Sequence, residues 1–451
     1  MKSKNGSLAL LACMTIVLTV FCANISYAGV LLQKQHFTYE GAFRVPQGRL
    51  GGDSTKWSMG RGGHGVTYNP ANNSLVLAGS LFERMAVEIS IPEPVNSTNI
   101  NDLNIATTLQ VPGRVAEKWA NVNLDGSAIT NGTRTGNFLV YNNKLIGNSW
   151  PYYASADEGH LSHFTSTLNW IDGNGLANFS GFKRVGTVPF DTTKSNAGWT
   201  GGYMGHIPPE WQDRLGWPAM TGNGATSVVS RSSYGPSVSG FDPDDIGAVE
   251  IAPTELFFGY PGDHQTLGGY SDGTLYYGMG TMVRGVAFPQ GSDTIMIFGR
   301  GGLGFNGTGD GCYGYGVSDP ALHNTVRIDG VLNCYDLAFT DKGGHAYPYE
   351  SKIWLYDAND VLAVKAGTKE YWEVIPYDMI YLDMPFSSQN LMKDIEGVAY
   401  DPTTQRLFIS QFLTDRWADQ YEPNPIIHVY SLDISQNIQN NIFPPRTLRL
   451  K

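Results

Sequence analysis

Charge and cysteine are scarce in this chain, and beyond its first residues there is no long apolar run. Each scarcity excludes something. Charged residues make up only 16% of the sequence, and acidic ones outnumber basic ones by 41 to 30. The field of the whole molecule therefore argues against general binding of nucleic acid or other polyanions, and leaves room for a local basic pocket. Of the four Cys, Cys13 and Cys22 fall in an N-terminal segment expected to be removed, leaving Cys312 and Cys334. Two Cys are too few for a Cys-based metal centre and enough for one disulfide. That bond would close a loop of roughly 20 residues, worth about 3 kcal/mol in the chain-entropy view. The chain has no G-x-S-x-G elbow and no H-E-x-x-H pair, and the Gly-rich run Gly299–Gly304 precedes no helix that could hold a phosphate. Asp242-Pro243-Asp244-Asp245 lacks the spacing of an EF-hand loop.

The one strongly apolar stretch is at the N-terminus. Lys2 and Lys4 precede Leu8–Cys22, and Ser26-Tyr27-Ala28 follows as an A-x-A-like cleavage signal. Residues 1–28 are expected to be a signal peptide, placing the protein in a secreted or periplasmic compartment with no membrane span once the signal is gone. The formal charge of −11 becomes −13 when Lys2 and Lys4 leave. Residues 29–451 contain no low-complexity linker and are expected to form a single domain.

Glycine and aromatics are abundant, with 54 Gly and 12% Phe, Trp and Tyr, a composition that suits an all-β protein rich in turns. Three stretches share one layout. Gly65-Val66-Thr67-Tyr68-Asn69-Pro70 leads to Leu75-Val76-Leu77. Gly285-Val286-Ala287-Phe288 leads to Ile295-Met296-Ile297. Gly397-Val398-Ala399-Tyr400-Asp401-Pro402 leads to Leu407-Phe408-Ile409. Each reads as strand, tight turn, strand. Looser sets lie between them. One runs from Asn137–Tyr141 across an Asn142-Asn143 turn to Lys144–Ile146, then Thr165–Trp170 and Phe182–Val188. Another has Tyr203–Ile207, Ala219–Gly222, Ser227–Arg231 and Glu255–Gly259, with a short helix over Pro208–Leu215. Thr107–Val111 and Tyr371–Ile375 are expected as fourth strands of the first and fourth sets. Repeated four-strand sets predict a β-propeller, with five blades favoured and six or seven allowed. Phe37–Phe43 is expected to close the ring beside Ile426–Tyr430, removing the exposed edges. An irregular sandwich or β-helix fits the three aligned repeats less well. The stretch at about 301–348 reads as a disulfide-containing insertion.

The repeat and the Asp394-x-Glu396-Gly397-Val398-Ala399 motif resemble blades of two propeller groups, the phytase-like "esterase-like" domains and the gluconolactonase/regucalcin group. That resemblance covers one blade motif. It implies that the acidic residue before the Gly sits at the channel mouth, where in the second group it can bind a divalent cation, here calcium or zinc at Glu396. A five-bladed ring is also similar, in architecture alone, to the arabinanase-like glycosidases.

Inner strands of a propeller line its central channel, so residues at equivalent positions converge. The residues before the three repeat glycines are His64, Arg284 and Glu396, a set able to act as base, anion clamp and acid or metal ligand. His160 and His163, beside Asp157 and Glu158 in a segment that reads as loop, have a spacing that can hold a metal. Trp150, Tyr152 and His206 are candidates for substrate binding, since aromatic rings in Gly-rich loops suit sugars. The expected function is a carbohydrate-active enzyme, a polysaccharide lyase or glycoside hydrolase working at the channel mouth. Alternatives are a non-catalytic propeller that binds a glycan or protein, and a metal-dependent esterase, lactonase or phosphatase.

Overall fold

The computed structural model describes residues 29–50, 58–80, 85–114, 133–151, 159–170, 178–186, 197–224, 233, 235–261, 277–278, 280–304, 311–340, 343–387, 392–416 and 422–435. The strands group into five main sheets whose members follow one another in sequence. The first sheet holds Thr67–Asn69, Ser74–Ala78, Met85–Ser90 and Gly113–Arg114. The second holds Thr133–Tyr141, Lys144–Pro151, Leu161–Thr167 and Lys183–Val185, with Ile251–Ala252 added in parallel at its edge. The third holds Gly202–His206, Ala219–Asn223, Val238–Phe241 and Thr254–Phe258. The fourth holds Met282–Ala287, Thr294–Gly302, Tyr349–Asp357 and Asp378–Tyr381. The fifth holds Ile395–Asp401, Arg406–Asp415 and Asn424–Leu432, and its outer place is taken by Phe37–Arg44 from the other end of the chain.

The strand sequences show why these sheets stack. Several strands carry a short apolar run, Leu75–Ala78, Ile295–Phe298 and Leu407–Ile409 among them, as expected when both faces are buried, and their side chains alternate between two neighbours. Leu75 and Leu77 pack toward the fifth sheet, while Val76 and Ala78 pack toward the second. Ile295 and Ile297 face the third sheet, and Met296 and Phe298 face the fifth. Leu139 and Ile146 meet Met204 and Phe241 between the second and third. Every pair of successive sheets shares one apolar layer, and so do the fifth and the first.

The first strand of each sheet lies innermost. Thr67–Asn69 neighbours Thr133–Tyr141 and Ile395–Asp401, and Gly202–His206 neighbours Thr133–Tyr141 and Met282–Ala287, which in turn neighbours Ile395–Asp401. Glycine permits this approach. A Cβ on Gly397 would lie 2.6 Å from the Val66 backbone nitrogen, and one on Gly285 would lie 2.9 Å from the Val398 side chain. The repeat glycines of the sequence are thus the points where inner strands touch.

Local turns follow the sequence. Asn142 and Asn143 both take positive φ, 47° and 56°, the conformation a two-residue hairpin turn needs. Asp401 accepts from the Thr403 backbone at 2.8 Å and so fixes the Pro402 turn. Pro209–Leu215 is helical, as the sequence predicts. Other expectations fail. Tyr371–Glu373 is a 3-10 turn, not a strand, and Asp378–Tyr381 completes the fourth sheet. Pro376 lacks the N–H that a strand there would need. Thr107–Val111 contributes only the isolated bridge of Thr108 to Ile89, and the fourth strand of the first sheet is Gly113–Arg114. Ser227–Arg231 lies outside the described residues, and Val238–Phe241 is the third strand of its sheet. His163 sits within the strand Leu161–Thr167 rather than in a loop.

The insertion joins the second and third strands of the fourth sheet. It carries a small sheet of Gly314–Gly316, Asn333–Cys334 and Gly344–His345, stapled by the Cys312–Cys334 disulfide. Among the described residues no helix is long and apolar enough to cross a membrane.

Candidate functional site

The three residues before the repeat glycines meet. Backbone register explains how. In the fourth sheet the pairing slips between Val283 and Gly285, and in the fifth between Ile395 and Gly397. Arg284 and Glu396 are therefore bulge residues, re-aimed out of the alternating pattern. His64 is fixed by its neighbours, since its carbonyl accepts from Ala78 and the next amide, Gly65, donates to the Glu396 carbonyl at 2.9 Å.

Glu396 Oε2 accepts from His64 Nδ1 at 2.7 Å and from Arg284 Nε at 3.1 Å. The three residues are 4%, 9% and 6% exposed, in the order Glu396, His64, Arg284. Trp150 lies under the guanidinium, its ring centre 4.7 Å from Arg284 Cζ, and Phe412 packs 5.4 Å from the His64 ring. Two residues before Glu396, buried Asp394 pairs with Arg300 at 2.9 Å. Arg300 also donates to the Gly280 carbonyl and covers the Tyr349 ring at 4.3 Å.

The two carboxyls are driven in opposite directions. Burial works to raise Glu396, but the charges of His64 and Arg284, with the hydrogen bonds from both, outweigh it and hold the group down at about 2. Burial pushes Asp394 up to about 6, against the pull of Arg300 and with the Glu396 charge adding to the push. Glu396 is thus biased toward the anion and Asp394 toward the protonated form. Because a carboxylate only accepts, His64 Nδ1 carries the proton of their bond. The lone pair of a neutral His64 is then on Nε2. That atom is buried and meets no hydrogen-bond partner among the described residues.

The other sequence candidates lie apart from this cluster or outside the described residues. Tyr152, Asp157 and Glu158 fall outside. His160 is buried. His163 spends both ring nitrogens on core hydrogen bonds, Nδ1 with Ser162 at 2.8 Å and Nε2 with Thr221 at 3.1 Å, and burial lowers its pKa to about 3. Among the described residues, no three His, Cys, Asp or Glu side chains group as a metal-binding set. The Glu396 oxygen nearest His64 is already filled by two donors.

His206 is at the opposite end of the inner strands. There the strand ends line a cavity of about 600 Å³, bounded by Val66–Pro70, Leu139–Asn143, Met204–Pro209, Val286–Phe288 and Val398–Tyr400. Each wall continues roughly four residues, about 13 Å, beyond the ionic cluster. Val66, Val286 and Val398, one after each repeat glycine, are the lining residues nearest the ionic cluster in sequence.

Sequence reasoning missed a second buried cluster. Asp336 Oδ2 accepts from the Tyr349 hydroxyl and from His345 Nδ1, both at 2.7 Å, and Phe339 packs on His345 at 4.4 Å. Through Tyr349 and Arg300 this ties the disulfide insertion to Asp394. No local motif marks it, because its members come from the insertion and the strand that follows.

No protein-family model matches the chain, and no curated protein matches it. Among solved structures it is similar to a glycosyl hydrolase from Bacteroides ovatus, at 10% identity and TM-score 0.38 over 89% of this chain and 96% of that one. It is also similar to the PQQ-bound form of aldose sugar dehydrogenase from Streptomyces coelicolor, at 10% identity and TM-score 0.37 over 90% and 100%. A luciferin-regenerating enzyme aligns at 8% identity and TM-score 0.33 over 83% and 92%. With scores this low, none of the three carries an argument about the chemistry of this chain.

Proposed function

We propose that residues 29–451 form a closed five-bladed β-propeller, secreted or periplasmic, that acts as a lyase on an acidic polysaccharide. The cyclic order of apolar layers and the mutual contact of the inner strands support the ring. The observation that carries the chemistry is His64, oriented by Glu396 through Nδ1, with a buried Nε2 that has no hydrogen-bond partner among the described residues.

In this reading His64 Nε2 takes the C5 proton of a uronate. The C–H electron pair forms the C4–C5 double bond, the C4–O bond breaks, and its pair leaves on the glycosidic oxygen, which is protonated from solvent. Glu396 keeps the imidazole in the correct tautomer and stabilises the imidazolium that forms. Arg284 faces the substrate carboxylate and makes the C5 proton more acidic by neutralising it. Trp150 offers an apolar face next to that charge. A two-carboxylate hydrolase fits less well, since it needs a protonated carboxyl beside the bond. Glu396 is held ionised, and Asp394 is committed to Arg300.

The test is ultraviolet detection of unsaturated uronate from a panel of polyuronates. His64→Gln should lower the rate by at least about a hundredfold when both proteins are assayed well below the variant's own melting transition. If the native protein yields no unsaturated product from any polyuronate, the lyase reading falls. The burial of all three residues favours a second reading, in which the cluster ties inner strands together and the faces of the propeller only bind glycan or protein. Glycan binding without turnover would support it.

A further inference from the structure

We propose that the cavity at the far end of the inner strands is a separate binding site for an uncharged ligand with an apolar body and a hydrogen-bonding head, of the alkyl or aryl glycoside kind. It does not depend on the lyase reading, because it uses the other end of the strands and none of the ionic cluster.

Charge decides the class. Although 16% of the chain is charged, no Asp, Glu, Lys or Arg among the described residues lines this cavity, and its walls come from all five sheets. A charged ligand entering it would lose hydration and meet no counter-ion. Part of the lining is apolar: Val66, Val286 and Val398 are buried and offer an apolar body nothing but contact. The Tyr141 and His206 rings also line it and lie nearly parallel, 24° apart in plane with centroids 6.1 Å apart. At the rim Gln290 is exposed and can donate or accept. Gln212 donates its Nε2 to the Ile207 carbonyl at 2.8 Å, and its side-chain oxygen is an acceptor. A wholly apolar ligand would bury these polar groups unpaired, whereas hydroxyls satisfy them. The volume, about 600 Å³, is that of a small-molecule site.

The mature chain is titrated with the neutral dye N-phenyl-1-naphthylamine, and the bound dye is displaced with octyl glucoside below its micelle concentration. The expected result is dye binding, competition by octyl glucoside and none by octanoate. Tyr141→Ala, and Gln290→Trp at the exposed rim, should each weaken the dye by at least about fivefold, while His64→Gln leaves it unchanged. The proposal is overturned if the dye does not bind, if neither cavity variant changes its affinity, or if octanoate competes as well as the glucoside.

Discussion

Replacing Glu396 by Gln keeps the shape of the side chain and removes its charge. Arg284 and His64, both buried, then face an amide. Taking one partner from a desolvated ion pair costs about 3–5 kcal/mol, because the remaining charge is left uncompensated. The pKa gives a figure of the same order. A carboxyl held at about 2 against an ordinary 4.5 represents about 3 kcal/mol at neutral pH. Urea unfolding followed by tryptophan fluorescence at pH 7 should show that loss as a lower midpoint with an unchanged slope. Adding Arg284→Met should restore at least about 1 kcal/mol, since the orphaned cation goes too. The sign with pH is fixed. A depressed folded-state pKa contributes stability that is complete above 4.5 and lost as pH falls through about 2. The native and variant stabilities should therefore converge near pH 2. A variant within about 0.5 kcal/mol of native at pH 7, or a gap that persists in acid, would refute the ion-pair reasoning.

The neighbouring carboxyl behaves in the opposite sense. Asp394 is raised from 3.8 to about 6, so its contribution is full below 3.8 and lost as pH rises through 6. Calorimetry across that window should show a decline in native melting temperature that Asp394→Asn lacks. Gly397→Ala places a Cβ 2.6 Å from backbone, whereas Gly285→Ala meets a valine side chain at 2.9 Å that can shift. The first should cost at least about 2 kcal/mol and the second less, as measured by unfolding midpoints. Replacing both Cys312 and Cys334 by Ser should raise amide exchange in 314–316, 333–334 and 344–345 and leave the inner strands protected. Equal loss of protection in the strand Ile395–Asp401 would show that the staple is not local.

The sequence was most legible where one residue does two jobs. Gly65, Gly285 and Gly397 mark strand starts and also let inner strands touch, so the same spacing recurs three times. The Asn142-Asn143 turn and the Pro208–Leu215 helix carry local signals that tertiary packing did not override. Tyr371–Ile375 reads as a strand by its side chains alone, but Pro376 and the cap between Glu370 and Glu373 bend it into a 3-10 turn. At the site, convergence of His64, Arg284 and Glu396 could be inferred from strand positions. That His64 and Arg284 bond one oxygen could not, because it depends on two bulges. Arg300 and Asp394 were invisible as partners, since neither has a sequence neighbour pointing to the other. His206 shows the limit of position-based inference: it lies on an inner strand, at the wrong end for the ionic cluster.

The valines that follow the three repeat glycines have one more effect. Each packs in a different layer, Val66 between the fifth and first sheets, Val286 between the third and fourth, and Val398 between the fourth and fifth. Each also sits against a glycine of a neighbouring inner strand: a Cβ on Gly397 would lie 2.9 Å from the Val66 side chain, one on Gly285 2.9 Å from Val398, and one on Gly205 3.0 Å from Val286. The inner strands are therefore keyed to one another, glycine to valine. A strand that slid along its axis would leave a void at one contact and make a clash at the next, so register is set between sheets as well as within them.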